Sequence, residues 1–313
     1  FKMIEILTQF KFNLPQVINS FHLAEGPGGF IESTAYIRNN PADKYYGITL
    51  IDNSNNIPDW KKLEPIMKKY NNINIEYGVN KQGNLYNHKN LIHFKSLHKN
   101  SMDIVTADGG FDFSGDYNNQ EKAAFRLVIT QVAYAVTLQK HNGHFILKIF
   151  DMFEKSTREL IYLLSCLYEY VFISKPFTSR YANSEKYIVC KNFKYTNTDE
   201  LSNKFINILK FFESFDFDKY EVTSIINIPV QSYYSNQLKE INAILGHQQI
   251  DNILNTIKII THKDRKNDKI QSLKSSNVQK CITWCINNKM PYNKTYQSNN
   301  IFLGERTKNF KTL

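Results

Sequence analysis

No apolar run in this chain reaches the roughly 20 residues that a membrane-crossing helix needs. Cysteine is scarce, with four in 313 residues at positions 166, 190, 281 and 285. Only Cys281 and Cys285 lie close together, and no second Cys/His pair stands near them to complete a metal site. All four are expected to be reduced thiols of an intracellular protein. The eight histidines form no H-x-x-x-H or H-E-x-x-H spacing, so zinc chemistry is not indicated and no metal is expected. Internal repeats are absent, and no secretory signal pattern opens the chain. It begins at Phe1-Lys2-Met3, inside what reads as a helix, which suggests a domain with an upstream part missing.

What is present fits a globular, polyanion-binding protein. Hydrophobic residues make up 42% and aromatics 14%, enough to fill a core. Lys and Arg number 39 against 29 Asp and Glu, a formal charge of +10 that points to RNA as the leading class of partner. A monomer is expected. The abundance of Asn, Lys and Ile suggests an AT-rich genome.

Over residues 1–197, short apolar runs alternate with amphipathic stretches, the pattern of a βαβ sheet. Strands are predicted at Ser20–Ala24, Tyr45–Leu50, Ile73–Tyr77, Ile104–Ala107, Gly143–Ile149, Tyr170–Ile173 and Lys186–Lys191. Helices are predicted over 1–12, near Phe30–Arg38, at 120–140 and at 156–168. The last two strands lack a helix-length insert and should pair antiparallel. The expected fold is α/β and Rossmann-like, a seven-stranded, mostly parallel sheet with one reversed strand. Residues 198–313 read as a mostly helical extension packed on the main domain. Helices are expected there over 200–214 and 232–261, with a linker or charged helix over 262–277 and a short helix ending at 289. Lys263, Arg265, Lys266, Lys269 and Lys274 would support an RNA- or partner-binding role for it.

Four segments carry chemistry. The first is His22-Leu23-Ala24-Glu25-Gly26-Pro27-Gly28-Gly29-Phe30-Ile31-Glu32, a glycine-rich turn between a strand and a helix. Glycines let a ligand approach the main chain, and a helix start offers free N–H groups, so a nucleotide-like ligand is expected there. The spacing is not G-x-G-x-x-G, which argues against a dinucleotide. Second, Asp103-Ile104-Val105-Thr106-Ala107-Asp108-Gly109-Gly110-Phe111 reads as a buried strand ending in an acid and two glycines. Third, Lys148 sits in His144-Phe145-Ile146-Leu147-Lys148-Ile149, a strand too apolar to want a lysine. Fourth, Lys175-Pro176-Phe177-Thr178-Ser179-Arg180-Tyr181-Ala182-Asn183-Ser184-Glu185 places polar groups before the last strand.

Together these segments resemble the FtsJ-like, S-adenosylmethionine-dependent 2′-O-ribose methyltransferases, in particular the cap-specific mRNA branch of eukaryotes and large DNA viruses. The resemblance covers about residues 1–195. It implies methyl transfer from S-adenosylmethionine to a ribose hydroxyl beside the mRNA 5′ cap, with capped mRNA and other capping enzymes as partners. It also implies an intracellular setting, nuclear or, for a viral protein, the host cytoplasm or virion. A ribose hydroxyl is a poor acid, so a cationic pocket that favours the alkoxide is useful, and a lysine beside other cations can act as base. The family's Lys-Asp-Lys-Glu tetrad maps onto Lys2, Asp108, Lys148 and Glu185, with Lys148 as base; Lys11 is an alternative to Lys2.

For the cofactor, the resemblance implies Glu25, Gly26, Pro27, Gly28, Gly29, Phe30 and Asp108 around the methionine end. Either Glu25 or Glu32 would receive the ammonium group, because this chain has His22 where the family often has an acid. Asp52 is a candidate for the ribose hydroxyls or a simple turn residue, and Asn84 stands where the family often has an acid facing adenine. For RNA, Ser179, Arg180, Asn183, Asn119 and Gln120 are the candidates, with Asn118 and Glu121 beside them and Tyr117 or Tyr181 as stacking rings. Two rival readings are an FtsJ-like enzyme of ribosomal or transfer RNA and a non-catalytic RNA-binding subunit of a capping complex.

Overall fold

A computed structural model describes residues 1–51, 59–111, 116–261 and 267–292. Seven strands form one sheet: β1 (Asn19–Leu23), β2 (Lys44–Ile48), β3 (Ile73–Glu76), β4 (Met102–Ala107), β5 (Gln139–Ile149), β6 (Tyr168–Ser174) and β7 (Lys186–Phe193). Their order is β3-β2-β1-β4-β5-β7-β6. The first five run parallel, and β7 is antiparallel to both β5 and β6. This is the expected fold class, with the reversal in the expected place.

Alternation along the strands builds a core on each face. Ile104, Ile146, Tyr187 and Val189 point to one side, packing with Met3 and Ile6 of α1 (Lys2–Phe10) and with Phe30, Ile31 and Ala35 of α2 (Gly29–Arg38). Val105, Phe145, Leu147, Ile188 and Cys190 point to the other. They meet α4 (His88–His98), α5 (Gln120–Leu138), α6 (Lys155–Leu167) and α7 (Asp199–Ser214) there. By the two-residue period of a strand, Lys148 leaves β5 on the face of Ile146, the side that α1 covers.

Several boundaries differ from expectation. Helix α1 stops at Phe10, because Lys11 takes a left-handed conformation (φ 44°) that ends the helix. Helix α5 ends at Leu138, and β5 starts at once, since Gln139 pairs with Met102. Two helices, α3 (Glu64–Lys69) and α4, were not anticipated. Their polar composition hides the period that marks an amphipathic helix.

The chain divides into two compact units, Phe1–Leu254 and Asn255–Leu313. The first therefore runs past the boundary expected at residue 197. The reason is packing: Phe205, Leu209 and Phe212 of α7 and Leu238 of α8 (Ser232–Thr261) are buried in the same core as α5 and α6. Described residues of the second unit include the end of α8 and α9 (Asn267–Asn287), one continuous helix where a linker or charged helix over 262–277 and a separate short helix ending at 289 were expected. Lys263, Arg265 and Lys266 lie outside the described residues. Among the described residues, no helix is long and apolar enough to cross a membrane.

Candidate active site

The chain leaves β1 toward β2 on one side, while β4 takes the other side of β1. In open α/β sheets such a reversal opens a crevice beyond the carboxyl ends of the strands. A cleft of about 800 Å³ lies there, lined by Ala24 and Gly26 after β1, Thr49 after β2, Gly110 after β4 and Lys148 near the end of β5.

The glycine loop forms one wall. Gly26 N–H donates to Thr49 Oγ1 (3.1 Å), and Gly28 N–H donates to the Glu25 carbonyl at 2.6 Å. Gly28 adopts φ 101°, which only glycine takes without strain, and Gly29 opens α2. Gly83, with φ 64°, packs against the same Thr49; a Cβ there would lie 1.8 Å from the Thr49 carbonyl oxygen. Pro27 and Gly29 are exposed, whereas Phe30 is buried with its ring 5.8 Å from that of Tyr187. Phe30 therefore supports the loop from below instead of lining the cleft.

Beneath this loop is Glu25, only 3% exposed. Neither of its carboxyl oxygens makes a hydrogen bond of normal geometry. Burial and the nearby Asp108 push its pKa well above the usual carboxylate range, against a smaller opposing effect of the Phe30 and Ile31 amides and of Lys148. His22 Nδ1 is 3.2 Å from Glu25 and 2.7 Å from Thr106 Oγ1, and burial lowers its pKa to about 3. A neutral imidazole is thus no counter-ion for Glu25. Glu32, the alternative acid, is exposed on α2. Asn84 lines the cleft, its Oδ1 accepting from Tyr86 N–H at 2.9 Å. Asp52 lies outside the described residues.

The four tetrad candidates meet at the other end of the cleft. Lys148 Nζ donates to the Asp108 carbonyl at 2.7 Å and stands 3.4 Å from its carboxylate. Lys2 Nζ lies 2.6 Å from Glu185 Oε1. Lys11, the alternative, caps α1 instead. Room for the Lys148 ammonium depends on Gly110, where a Cβ would come within 3.1 Å of Nζ. Burial alone would raise the Glu185 pKa. Its hydrogen bond and ion pair with Lys2, the Ser179 hydroxyl and the Lys148 charge outweigh burial and hold it below the usual range.

Three further residues shape this site; Tyr187 and Glu5 were not singled out in the sequence, and Lys175 appeared there only as part of the fourth segment, with no role of its own. Tyr187, on β7, donates its hydroxyl to Asp108 Oδ1 at 2.8 Å. Glu5, one turn after Lys2, accepts from the backbone N–H groups of Phe177 (2.6 Å) and Thr178 (3.2 Å), tying α1 to the loop before β7. Lys175 donates to the Asn183 carbonyl (2.8 Å), Asn183 Oδ1 (2.6 Å) and the Glu185 carbonyl (2.6 Å). Burial lowers its pKa to about 8, Lys186 and Lys2 adding to the shift and Glu185 opposing it. Only the periodicity of α1, which puts Lys2 and Glu5 about one turn apart, could have hinted at one of them.

The RNA candidates separate. Arg180 and Asn183 line the cleft with Gln120, whose Oε1 accepts from Ser184 Oγ at 2.6 Å. Arg180 is exposed and makes no ion pair among the described residues. Ser179 is 2% exposed and donates to Glu185 Oε1 at 2.8 Å, so its hydroxyl faces inward. Asn119 is exposed and bonded to Asp116, and Tyr117 lies at the rim of the cleft.

Residues 1–193 match the model of the FtsJ-like methyltransferase family. The cap-specific mRNA (nucleoside-2′-O-)-methyltransferase 1 of Mus musculus is 36% identical over 178 residues, which are 54% of this chain and 20% of that protein. The cap-specific mRNA (nucleoside-2′-O-)-methyltransferase of Autographa californica nuclear polyhedrosis virus is 33% identical over 184 residues, 58% of this chain and 67% of that protein. The match thus spans about a fifth of the length of the mammalian relatives. Among solved structures, a ribosomal RNA methyltransferase, putative, from Plasmodium falciparum aligns with a TM-score of 0.44 at 19% identity, covering 61% of this chain and 94% of that one.

Proposed function

Because the chain belongs to the FtsJ-like methyltransferase family, we propose that it methylates the ribose 2′-hydroxyl of a nucleotide next to an mRNA 5′ cap, using S-adenosylmethionine. The observation that carries the reading is the meeting of Lys2, Asp108, Lys148 and Glu185 at one end of a cleft whose other end is a glycine loop.

The cleft fits such a cofactor. Glu25 is a buried carboxyl whose oxygens make no hydrogen bond of normal geometry, the complement of an α-ammonium group. A Cβ at Gly29 would project into open space at the start of α2, so the backbone there is accessible to a ligand. Gly26, Pro27, Gly28 and Gly29 would hold the methionine end, with Asn84 toward the base; Asp52 remains a candidate for the ribose. Bound there, the sulfonium supplies an electrophilic methyl group.

The chain's own residues do the rest. Lys148 takes the proton that the 2′-hydroxyl loses. Asp108 fixes Lys148 through both its carbonyl and its carboxylate. Tyr187 in turn holds Asp108, its phenol kept un-ionised by burial and by Asp108 and Glu185. The Lys2–Glu185 pair keeps a second cation at the site, where it favours developing negative charge on O2′. Arg180, exposed on the rim, suits a phosphate. A cap-adjacent target is supported by the names of the mouse and baculovirus relatives, cap-specific mRNA (nucleoside-2′-O-)-methyltransferases, and by the Lys-Pro-x-x-Ser-Arg-x-x-Asn-Ser-Glu segment.

The test is transfer of tritium from labelled S-adenosylmethionine to matched short RNAs bearing an m7G cap, an unmethylated cap or a 5′-triphosphate. Label confined to capped RNA supports the reading. Label on triphosphate RNA would favour a structured-RNA enzyme, and cofactor binding without transfer would favour a binding subunit.

A further inference from the structure

A second groove, of about 690 Å³, lies in the same compact unit, outside the site just described. It is walled by the start of α6, by segment 224–230 and by α8, and lined by Lys155, Arg158 and Lys239. Arg158 and Lys239 make no ion pair among the described residues. Its one acid, Glu159, is engaged by the groove's own wall: it accepts from Ile225 N–H (2.7 Å) and Ser224 Oγ (2.9 Å), with Lys155 at 3.5 Å. Burial would raise the Glu159 pKa, but those hydrogen bonds hold it below the usual range, so it stays an ionised structural latch. The uncompensated charges of the groove are Arg158 and Lys239, set against an apolar wall of Ile226, Ile228, Pro229 and Val230.

The groove and the cleft flank one segment of chain, residues 150–155. Gln120 lines the cleft, and its neighbour Glu121 accepts from the backbone N–H groups of Phe153 (3.0 Å) and Glu154 (2.9 Å), the residues just before Lys155. Asn242 of α8 donates to the Met152 carbonyl at 2.9 Å, which fixes the far wall to the same segment. Phe150 lines the cleft and Lys155 the groove, so five residue steps separate them, at most about 18 Å of chain. That is about five stacked nucleotides at a rise near 3.4 Å. Between the two stands Phe153, 61% exposed and free to stack on a base.

We infer that this groove binds the phosphates of the RNA strand downstream of the methylated nucleotide, with Arg158 and Lys239 as the contacting cations and Phe153 as a stacking platform. The inference rests on the proposed reading for the identity of the strand. The groove lengthens the substrate footprint without touching the reacting atoms.

The test compares capped RNAs with 3 and 12 nucleotides after the cap, using the full chain and the double variant Arg158→Gln/Lys239→Gln. Wild type should show a KM about tenfold lower for the longer RNA, and the double variant should lose that gain while turning over saturating short RNA at the wild-type rate. The slope of log affinity for the 12-mer against log salt should fall by about 1.4, two single-strand contacts at about 0.7 each. Phe153→Ala should weaken 12-mer binding with that slope unchanged. Fluorescence anisotropy with the 12-mer needs no turnover and reads the groove even if no methyl is transferred. Absence of transfer to any capped RNA would overturn the functional reading. An unchanged length gain, or an unchanged salt slope, in the double variant would overturn the groove.

Discussion

The Lys2 ammonium lies 2.6 Å from Glu185 Oε1 and so joins the first helix to the loop before the last strand. One turn further along the same helix, Glu5 holds the backbone of Phe177 and Thr178 in that loop. Two opposite charges on one helix thus position the segment that carries Arg180, Asn183 and Glu185.

Removing the Glu185 charge leaves Lys2 without its partner. Glu185→Gln should lower kcat by about 100-fold or more with cofactor Kd changed less than twofold, in the range of losing a proton-handling or charge-positioning group. A sign for stability follows as well. The folded-state pKa is depressed, so the stability contributed by Glu185 is present above its unfolded pKa near 4.3 and is lost as pH falls through the folded value. Thermal melts from pH 7 to pH 3 should therefore show wild type converging on the Gln variant only at the acid end.

Lys175 predicts opposite trends for activity and stability. Its pKa of about 8 lies below the unfolded value near 10.4, so the unfolded chain binds more protons between the two and stability rises with pH across that window. Above pH 8 the amine keeps two N–H donors for three oxygen acceptors. The loop should loosen and kcat should fall. Lys175→Met should abolish this alkaline step in the pH–rate profile while the remaining pH dependence persists.

Glu25 carries the prediction for the cofactor. Its folded pKa is raised, so its contribution to stability declines as pH rises from about 4.3 through the folded value. Glu25→Gln should raise the melting temperature of the free protein at pH 7.5 and flatten its pH dependence. The same change should weaken S-adenosylmethionine binding by about tenfold in calorimetry, the loss of one charged hydrogen bond. Stability and affinity moving together in one direction would refute the assignment.

Gly83→Ala should damage both fold and cleft. The new methyl would lie 1.8 Å from the Thr49 carbonyl at a left-handed φ, so the backbone itself must move. A loss of about 2 kcal/mol or more is expected in urea melts, with reduced cofactor binding because Gly83 and Asn84 line the cleft together.

The strand ends were legible because Asp108 and Lys148 are polar breaks in apolar runs whose period fixes their face. The glycine turn was legible because a loop tight against a backbone needs glycine at Gly28. Glu5 and Tyr187 were not, since each acts on residues brought near only by the fold: Glu5 on Thr178, Tyr187 on Asp108. The inward turn of Ser179 and the support role of Phe30 were hidden for the same reason, because a motif gives a residue's neighbours in sequence and not its direction. The packing of the extension on the main domain was legible from the amphipathic pattern of α7, whose Phe205, Leu209 and Phe212 are buried in the main core.

The most direct measurement replaces single riboses in an m7G-capped RNA by 2′-deoxyribose, at the first, the second or both transcribed positions, and follows methyl transfer by wild type and by Lys148→Ala. The account predicts that one deoxy position abolishes transfer, and that Lys148→Ala abolishes it on the all-ribose RNA while still binding RNA and cofactor. Undiminished transfer to the doubly substituted RNA, or full turnover by Lys148→Ala, would contradict it.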